Sequence, residues 1–115
     1  MSAPLAEVSV EADGDLVIVS VSGEVDLSNA GEVGEAIRRG VPASTALVID
    51  LAPVEYLDSA AIAMLDGLRE SGLSAHLVTP RESPARRLLT MVELGMPLHE
   101  TRADAARALR ARRSG

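Results

Sequence analysis

Ser59 follows Asp58 at the point where the sequence pattern changes from a buried strand to a helix. The first backbone N–H groups of a helix lack partners within the helix and carry a partial positive charge. An anion is therefore favoured there, and a phosphate added to the Ser59 hydroxyl is one such anion. Because Asp and Ser are also preferred helix caps, an ordinary helix start is the alternative interpretation of this pair.

The other polar residues form no recognisable catalytic set. No Gly-x-Ser-x-Gly sequence surrounds Ser59, and neither His76 nor His99 is an evident base for it. The two histidines also lack the spacing of metal ligands, and the absence of cysteine excludes thiolate chemistry and disulfides. Two pairs of carboxylates are interpreted as solvated loop groups, Glu24 with Asp26 and Glu55 with Asp58.

Composition indicates one domain over residues 1–115 with an aliphatic core. The chain is 47% hydrophobic, yet Tyr56 is its one aromatic residue, and its formal net charge is −6. This acidic balance argues against nucleic acid as a partner. The first residues show no signal peptide, and no apolar run is long enough to span a membrane. We therefore expect a cytoplasmic protein without membrane insertion.

The hydrophobic periodicity predicts an α/β fold, with a mixed sheet of four to five strands and about four helices packed on it. The predicted strands cover 7–11, 16–21, 46–51, 74–79 and 96–99, and residues 23–27 are expected to form a loop. The predicted helices cover about 29–39, 59–71, 84–94 and 101–112, the first capped by Ser28 or Asn29. Two helix faces are expected in the core, namely Ala61, Ile62, Leu65 and Leu68, then Ala85, Leu88, Leu89 and Val92.

Three segments, in this order and spacing, resemble the STAS domain, the fold of bacterial anti-sigma-factor antagonists. The first is Val21-Ser22-Gly23-Glu24-Val25-Asp26-Leu27, similar to the family's strand-ending Gly-Glu-(apolar)-Asp. The second is Val48-Ile49-Asp50-Leu51, followed after a short turn by Leu57-Asp58-Ser59. The third is Ser83-Pro84-Ala85-Arg86-Arg87-Leu88-Leu89, like the family's entry into its third helix. The resemblance covers nearly the whole chain and implies a single STAS-like domain.

This resemblance implies an anti-sigma factor antagonist, a substrate and switch rather than an enzyme, with no cofactor and no metal. In the family, the unphosphorylated antagonist binds an anti-sigma factor that is also a serine kinase of the histidine-kinase-like ATPase fold, and the sigma factor is released. The kinase phosphorylates the Ser after the Asp, here Ser59, and a Ser/Thr phosphatase reverses the step. The residues expected to bind the partner are Glu24, Asp26, Asp58, Ser59, Ala60, Ala61 and Ile62.

The chain departs from the family pattern at Ala61, where the family usually has Gly. Because Gly permits close backbone approach, a methyl group there is expected to alter docking of the kinase. Two other functions stay open. One is a STAS subunit that binds the ATPase of an ABC-type lipid transport system, using the same helix without phosphorylation of Ser59. The other is a scaffold of a stress-sensing complex.

Overall fold

The computed structural model describes residues 5–42 and 46–114. Residues 1–4, on which the expectation of no signal peptide partly rests, lie outside this part. The elements in chain order are β1 (Ala6–Asp13), β2 (Leu16–Val25), α1 (Ala30–Gly40), β3 (Ala46–Asp50), β4 (Val54–Leu57), α2 (Ser59–Glu70), β5 (Ser74–Val78), α3 (Pro84–Leu89), β6 (Leu98–His99) and α4 (Arg102–Ser114). None of these helices is long and apolar enough to cross a membrane.

The described strands form one mixed six-stranded sheet. Its order is β1-β2-β3-β5-β6, and β4 pairs with β2 outside this path. The β1–β2 hairpin is antiparallel, whereas the other pairings are parallel. The predicted α/β architecture with a mixed sheet is therefore confirmed, and β4 accounts for the additional strand.

The four helices lie on both faces of the sheet. On one face, α1, α2 and α3 bury aliphatic side chains against residues such as Val19 and Ile49. On the other face, α4 buries Ala105 and Leu109 against Val48 and its neighbours. Because helices cover both faces, the central strands β2 and β3 are apolar on both sides, as their continuous hydrophobic runs indicate.

Two segments differ from the sequence prediction. The prediction of a loop over residues 23–27 is wrong for its first residues, because β2 continues to Val25 and pairs there with β4. The third helix ends at Leu89 rather than near residue 94, and Val92 is 38% exposed instead of lying in the core. The Thr90 hydroxyl donates to the Arg87 carbonyl oxygen at 3.2 Å, so it competes for an acceptor that a continuing helix would use.

Candidate functional site

The pairing of β4 with β2 brings two distant segments to one edge of the sheet. Glu24 lies opposite Tyr56, and Val25 lies opposite Leu57. Because the two strands are parallel, the chain leaves both at the same edge. The residues that follow, Asp26 on one side and Asp58 on the other, line one shallow depression together with Leu27, Ser28 and Tyr56.

Asp58 caps the N-terminus of α2. Its backbone is extended, and its Oδ1 accepts a hydrogen bond of 2.9 Å from the Ala60 N–H. Its carbonyl oxygen accepts another of 3.0 Å from the Ala61 N–H. Ser59, the first helical residue, is exposed. One of the N–H groups at this helix end, that of Ala60, is therefore already bonded to the Asp58 carboxylate, and a phosphate on Ser59 would lie beside that charge.

The turn between β2 and α1 is held by its own side chains. The Asn29 Oδ1 accepts from the Asp26 N–H at 2.9 Å, and its Nδ2 donates to the Glu24 carbonyl oxygen at 2.8 Å. Asn29 therefore occupies the predicted cap position of α1, but its side chain makes no capping bond to that helix. Because the Asn29 amide is committed to the turn, it fixes the backbone of the residues that flank the depression.

Asp26 stays ionised over a wider pH range than an ordinary carboxylate. The Ser28 hydroxyl donates to its Oδ1 at 2.5 Å, and the Ser28 backbone N–H donates to the same atom at 2.9 Å. Both bonds favour the charged form, so they hold the pKa of Asp26 below its ordinary value. The depression beside Ser59 consequently carries a persistent negative charge from Asp26.

The sequence-predicted site residues gather around this edge but differ in burial. Glu24 and Ser59 are exposed, and Asp26, Asp58, Ala60 and Ile62 are partly buried. Ala61 is 1% exposed and belongs to the core between the sheet and helices α1 to α3. Its methyl group therefore lies in the core and not on the outer surface of α2.

Sequence reasoning missed two apolar side chains at the same depression. Leu27 is 85% exposed and Tyr56 is 50% exposed. The one sequence signal for Leu27 was its position, as a large aliphatic residue between the polar residues Asp26 and Ser28. Tyr56 gave no comparable signal, since the strand that presents it was expected to be a turn.

The two histidines pair with each other rather than forming part of the depression. His76 Nδ1 lies 2.9 Å from His99 Nε2. Across residues 5–42 and 46–114, no group of three or more His, Asp or Glu side chains is arranged to hold a metal ion. The structure therefore brings Ser59 together with acidic and apolar neighbours, and not with an imidazole base.

The chain is similar in sequence to known proteins. The STAS domain model matches residues 7–105. The chain is 38% identical over 98 residues to the anti-sigma-F factor antagonist RsfB of Mycobacterium tuberculosis, covering 82% of this chain and 80% of that protein.

Several solved structures are similar, and two of them overlap with most of this chain. An anti-sigma factor antagonist from Mycobacterium paratuberculosis superimposes with a TM-score of 0.74 and 33% identity, covering 96% of this chain and 99% of that one. The antagonist SpoIIAA in its unphosphorylated form has a TM-score of 0.60 and 17% identity, covering 92% and 98%, and supports the fold alone. Since the family model spans most of the sequence and the Mycobacterium relatives align over most of their length, the chain belongs to the STAS domain family.

Proposed function

We propose that this protein is an anti-sigma factor antagonist whose binding is switched off by phosphorylation of Ser59. The unphosphorylated form binds an anti-sigma factor with serine kinase activity, and a Ser/Thr phosphatase restores that form. The observation that carries the proposal is the exposed Ser59 at the first position of α2, next to the Asp58 cap and at the edge where Asp26 leaves β2. The two Mycobacterium relatives bear the same functional name.

The electrostatics of this edge explain how a phosphate would act. A phosphoserine adds about −1.5 to −2 charges at neutral pH. Here the added charge lies beside Asp58, whose carboxylate is held on the Ala60 N–H, and at the edge occupied by the ionised Asp26. A partner surface whose charge is complementary to these two carboxylates then meets the additional negative charge and the bulk of the phosphate. The fold is retained, because Ser59 is exposed and no core contact has to break.

In this function the chain is a substrate and a binding module rather than an enzyme, and it uses no cofactor or metal. Glu24, Asp26, Asp58 and the exposed parts of Ala60 and Ile62 form the contact region around Ser59, while Ala61 supports it from the core. Its place of action is the cytoplasm, where a sigma factor and its regulators meet.

The test is a capture experiment with purified protein and host lysate. Wild type, Ser59→Ala and Ser59→Asp serve as bait, and Ser9→Asp is the matched control because it adds the same charge at an exposed position of β1. We expect wild type, Ser59→Ala and Ser9→Asp to retain a small kinase of the ATPase fold. Ser59→Asp should retain at least about ten-fold less, since a repulsive charge lies in the contact.

Incubating the captured kinase with ATP then identifies the modified residue. We expect phosphate on Ser59 in the wild type and none on the Ser59→Ala variant. Equal recovery of a transporter ATPase by wild type and Ser59→Asp would overturn the proposal and show a transport subunit in which Ser59 only begins α2. Phosphate on another residue would overturn the assigned switch.

A further inference from the structure

Leu27 is the most exposed large hydrophobic side chain in the described part of the chain, at 85%. Exposing a leucine to this extent gives up the favourable free energy that burying its side chain would provide. Single exposed apolar residues need no explanation by themselves. Leu27 differs because it lies between two concave surfaces that meet at the proposed switch.

The first of these surfaces is the acidic depression that Leu27 shares with Asp26 and Asp58. The second is a groove between α1 and α2, which Leu27 borders at one end; its lining is mainly small and apolar, including Gly31, Gly34, Ala60, Ala63 and Met64, and also contains Arg38. Most residues on the groove walls are small, and the two helices meet closely there: a Cβ added at Gly34 would lie 3.0 Å from Met64 Cγ. Ala60, the residue after Ser59, is part of the groove wall.

The backbone beneath Leu27 is fixed before any partner arrives. Hydrogen bonds from Asp26 N–H to Asn29 and from the Asn29 amide to Glu24 close the turn on one side, and Ser28 bonds to Asp26 on the other. When a side chain on such a turn binds a partner, the backbone of the turn loses little conformational entropy. Pre-organisation of this kind raises affinity by lowering the ordering cost.

We propose that Leu27 is the apolar anchor of the contact with the anti-sigma factor, an inference that rests on the function proposed above. The occupant is a partner surface that encloses the Leu27 side chain, inserts an apolar side chain into the α1–α2 groove and places a basic side chain against Asp26 and Asp58. The charge complementarity follows from the ionised Asp26 at one end of the surface, and the apolar complementarity follows from the groove at the other.

The assignment also separates two roles within one interface. Leu27 and the groove provide affinity in a manner that is independent of phosphorylation, because apolar contacts do not change with the charge on Ser59. Ser59 and the acidic depression provide the charge-sensitive part. Removing Leu27 should therefore weaken binding of the partner without removing the hydroxyl that accepts the phosphate.

The experiment uses the kinase captured by the wild-type chain, purified and titrated with four proteins. These are wild type, Leu27→Ala, the groove-filling variant Ala63→Gln and the control Val10→Ala. Val10 is 42% exposed and lies opposite Val19. It is therefore about 20 Å along the sheet from the end of β2, at about 3.3 Å per residue. Circular dichroism and thermal unfolding of each variant show that the fold is kept.

We expect about ten-fold weaker binding for Leu27→Ala and for Ala63→Gln, which is the loss typical of truncating or blocking an anchor, and no change for Val10→Ala. In phosphorylation assays, Leu27→Ala should raise KM for the chain with kcat unchanged, whereas a defect at Ser59 itself would lower kcat.

Equal affinity of wild type and Leu27→Ala, with Ser59→Asp still impaired, would overturn the anchor and leave the proposed function standing. Failure of the wild type to bind any such kinase would overturn both. If sedimentation shows wild type as a dimer and Leu27→Ala as a monomer, the face joins two copies of this chain and the proposed occupant is wrong.

Discussion

The imidazole rings of His76 and His99 are joined edge to edge by a hydrogen bond between neighbouring parallel strands. The planes differ by 8°, and the centroid separation of 5.1 Å equals the 2.9 Å between Nδ1 of His76 and Nε2 of His99 plus the two ring radii. One ring must donate and the other accept, so the pair accommodates one proton between these atoms and not two. His76 is 3% exposed and lies at the centre of β5.

This pairing predicts a pH dependence of stability. Burial, followed by the charges of His99 and Arg112, lowers the pKa of His76 below its ordinary value of 6.5. The unfolded chain therefore binds more protons than the folded chain in the window from 6.5 down to the folded pKa. The contribution of neutral His76 to the free energy of unfolding is therefore complete above pH 6.5, and it is lost as the pH falls through that window.

We expect the melting temperature to fall between about pH 8 and about pH 5, measured by circular dichroism. The fall should be smaller in His76→Leu, which has no titrating group at this position. A His76→Leu variant whose melting temperature keeps the wild-type pH dependence would show that other groups are responsible.

Two glycines with similar φ angles should tolerate alanine very differently. Gly23 and Gly72 have φ of 89° and 96°. A Cβ at Gly23 would lie 2.1 Å from the Leu5 carbonyl oxygen, whereas one at Gly72 meets nothing within 4 Å. We expect Gly72→Ala to cost about 1–2 kcal/mol from backbone strain alone, and Gly23→Ala to cost clearly more. Urea unfolding measures both, and equal losses would contradict the steric explanation.

Truncating Asn29 should loosen the turn that presents Leu27. Asn29→Ala removes the acceptor for the Asp26 N–H and the donor to the Glu24 carbonyl oxygen. We expect a loss of about 1–2 kcal/mol in the free energy of unfolding. Asn29→Asp keeps the acceptor and loses the donor, so its effect should be intermediate. Chemical denaturation checks the order of the three proteins, and an unchanged Asn29→Ala would show that the turn does not depend on this side chain.

Arg102 binds one buried and one exposed carboxylate, which allows a matched comparison. Its Nε donates to Asp50 Oδ2 at 2.6 Å, and its Nη1 donates to Glu11 Oε1 at 2.7 Å. The Asp50 side chain is 8% exposed and that of Glu11 is 61% exposed. We expect Arg102→Met to cost about 1–3 kcal/mol, because it leaves Asp50 buried with one donor fewer.

Glu11→Gln should change the stability by less than about 1 kcal/mol, because an exposed ion pair is screened by solvent. Denaturant titrations at low and high salt separate the two partners. A larger effect of Glu11→Gln than of Arg102→Met would contradict this assignment.

Local periodicity predicted the helices better than the strand pairings. The α2 residues Ala61, Leu65 and Leu68 are buried as their spacing indicates, and Ile62 is partly buried beside them. Strand β4 was not predicted because only its end residues, Val54 and Leu57, are buried. That pattern lacks the alternation by which a strand is recognised, so the tertiary contact with β2 determines it.

The candidate site shows the same limit. The residue types at Asp58 and Ser59, with their position before a helix, were visible in the sequence. Their proximity to Asp26 depends on the β2–β4 register, a non-local contact that no short window contains. The exposure of Leu27 depends on how the turn before α1 lies on the sheet, so it was not foreseen, whereas the burial of Ala61 follows from the spacing of the apolar residues of α2.

The closed turn between β2 and α1 has a consequence for regulatory circuits. Its shape depends on bonds made by Asn29, Ser28 and the backbone, and the Leu27 side chain extends outside them. The identity of residue 27 can therefore change without disturbing the scaffold. With Leu27 as the proposed anchor, proteins that share this turn can differ in their choice of partner through residue 27 alone, without a change in the shape of the turn.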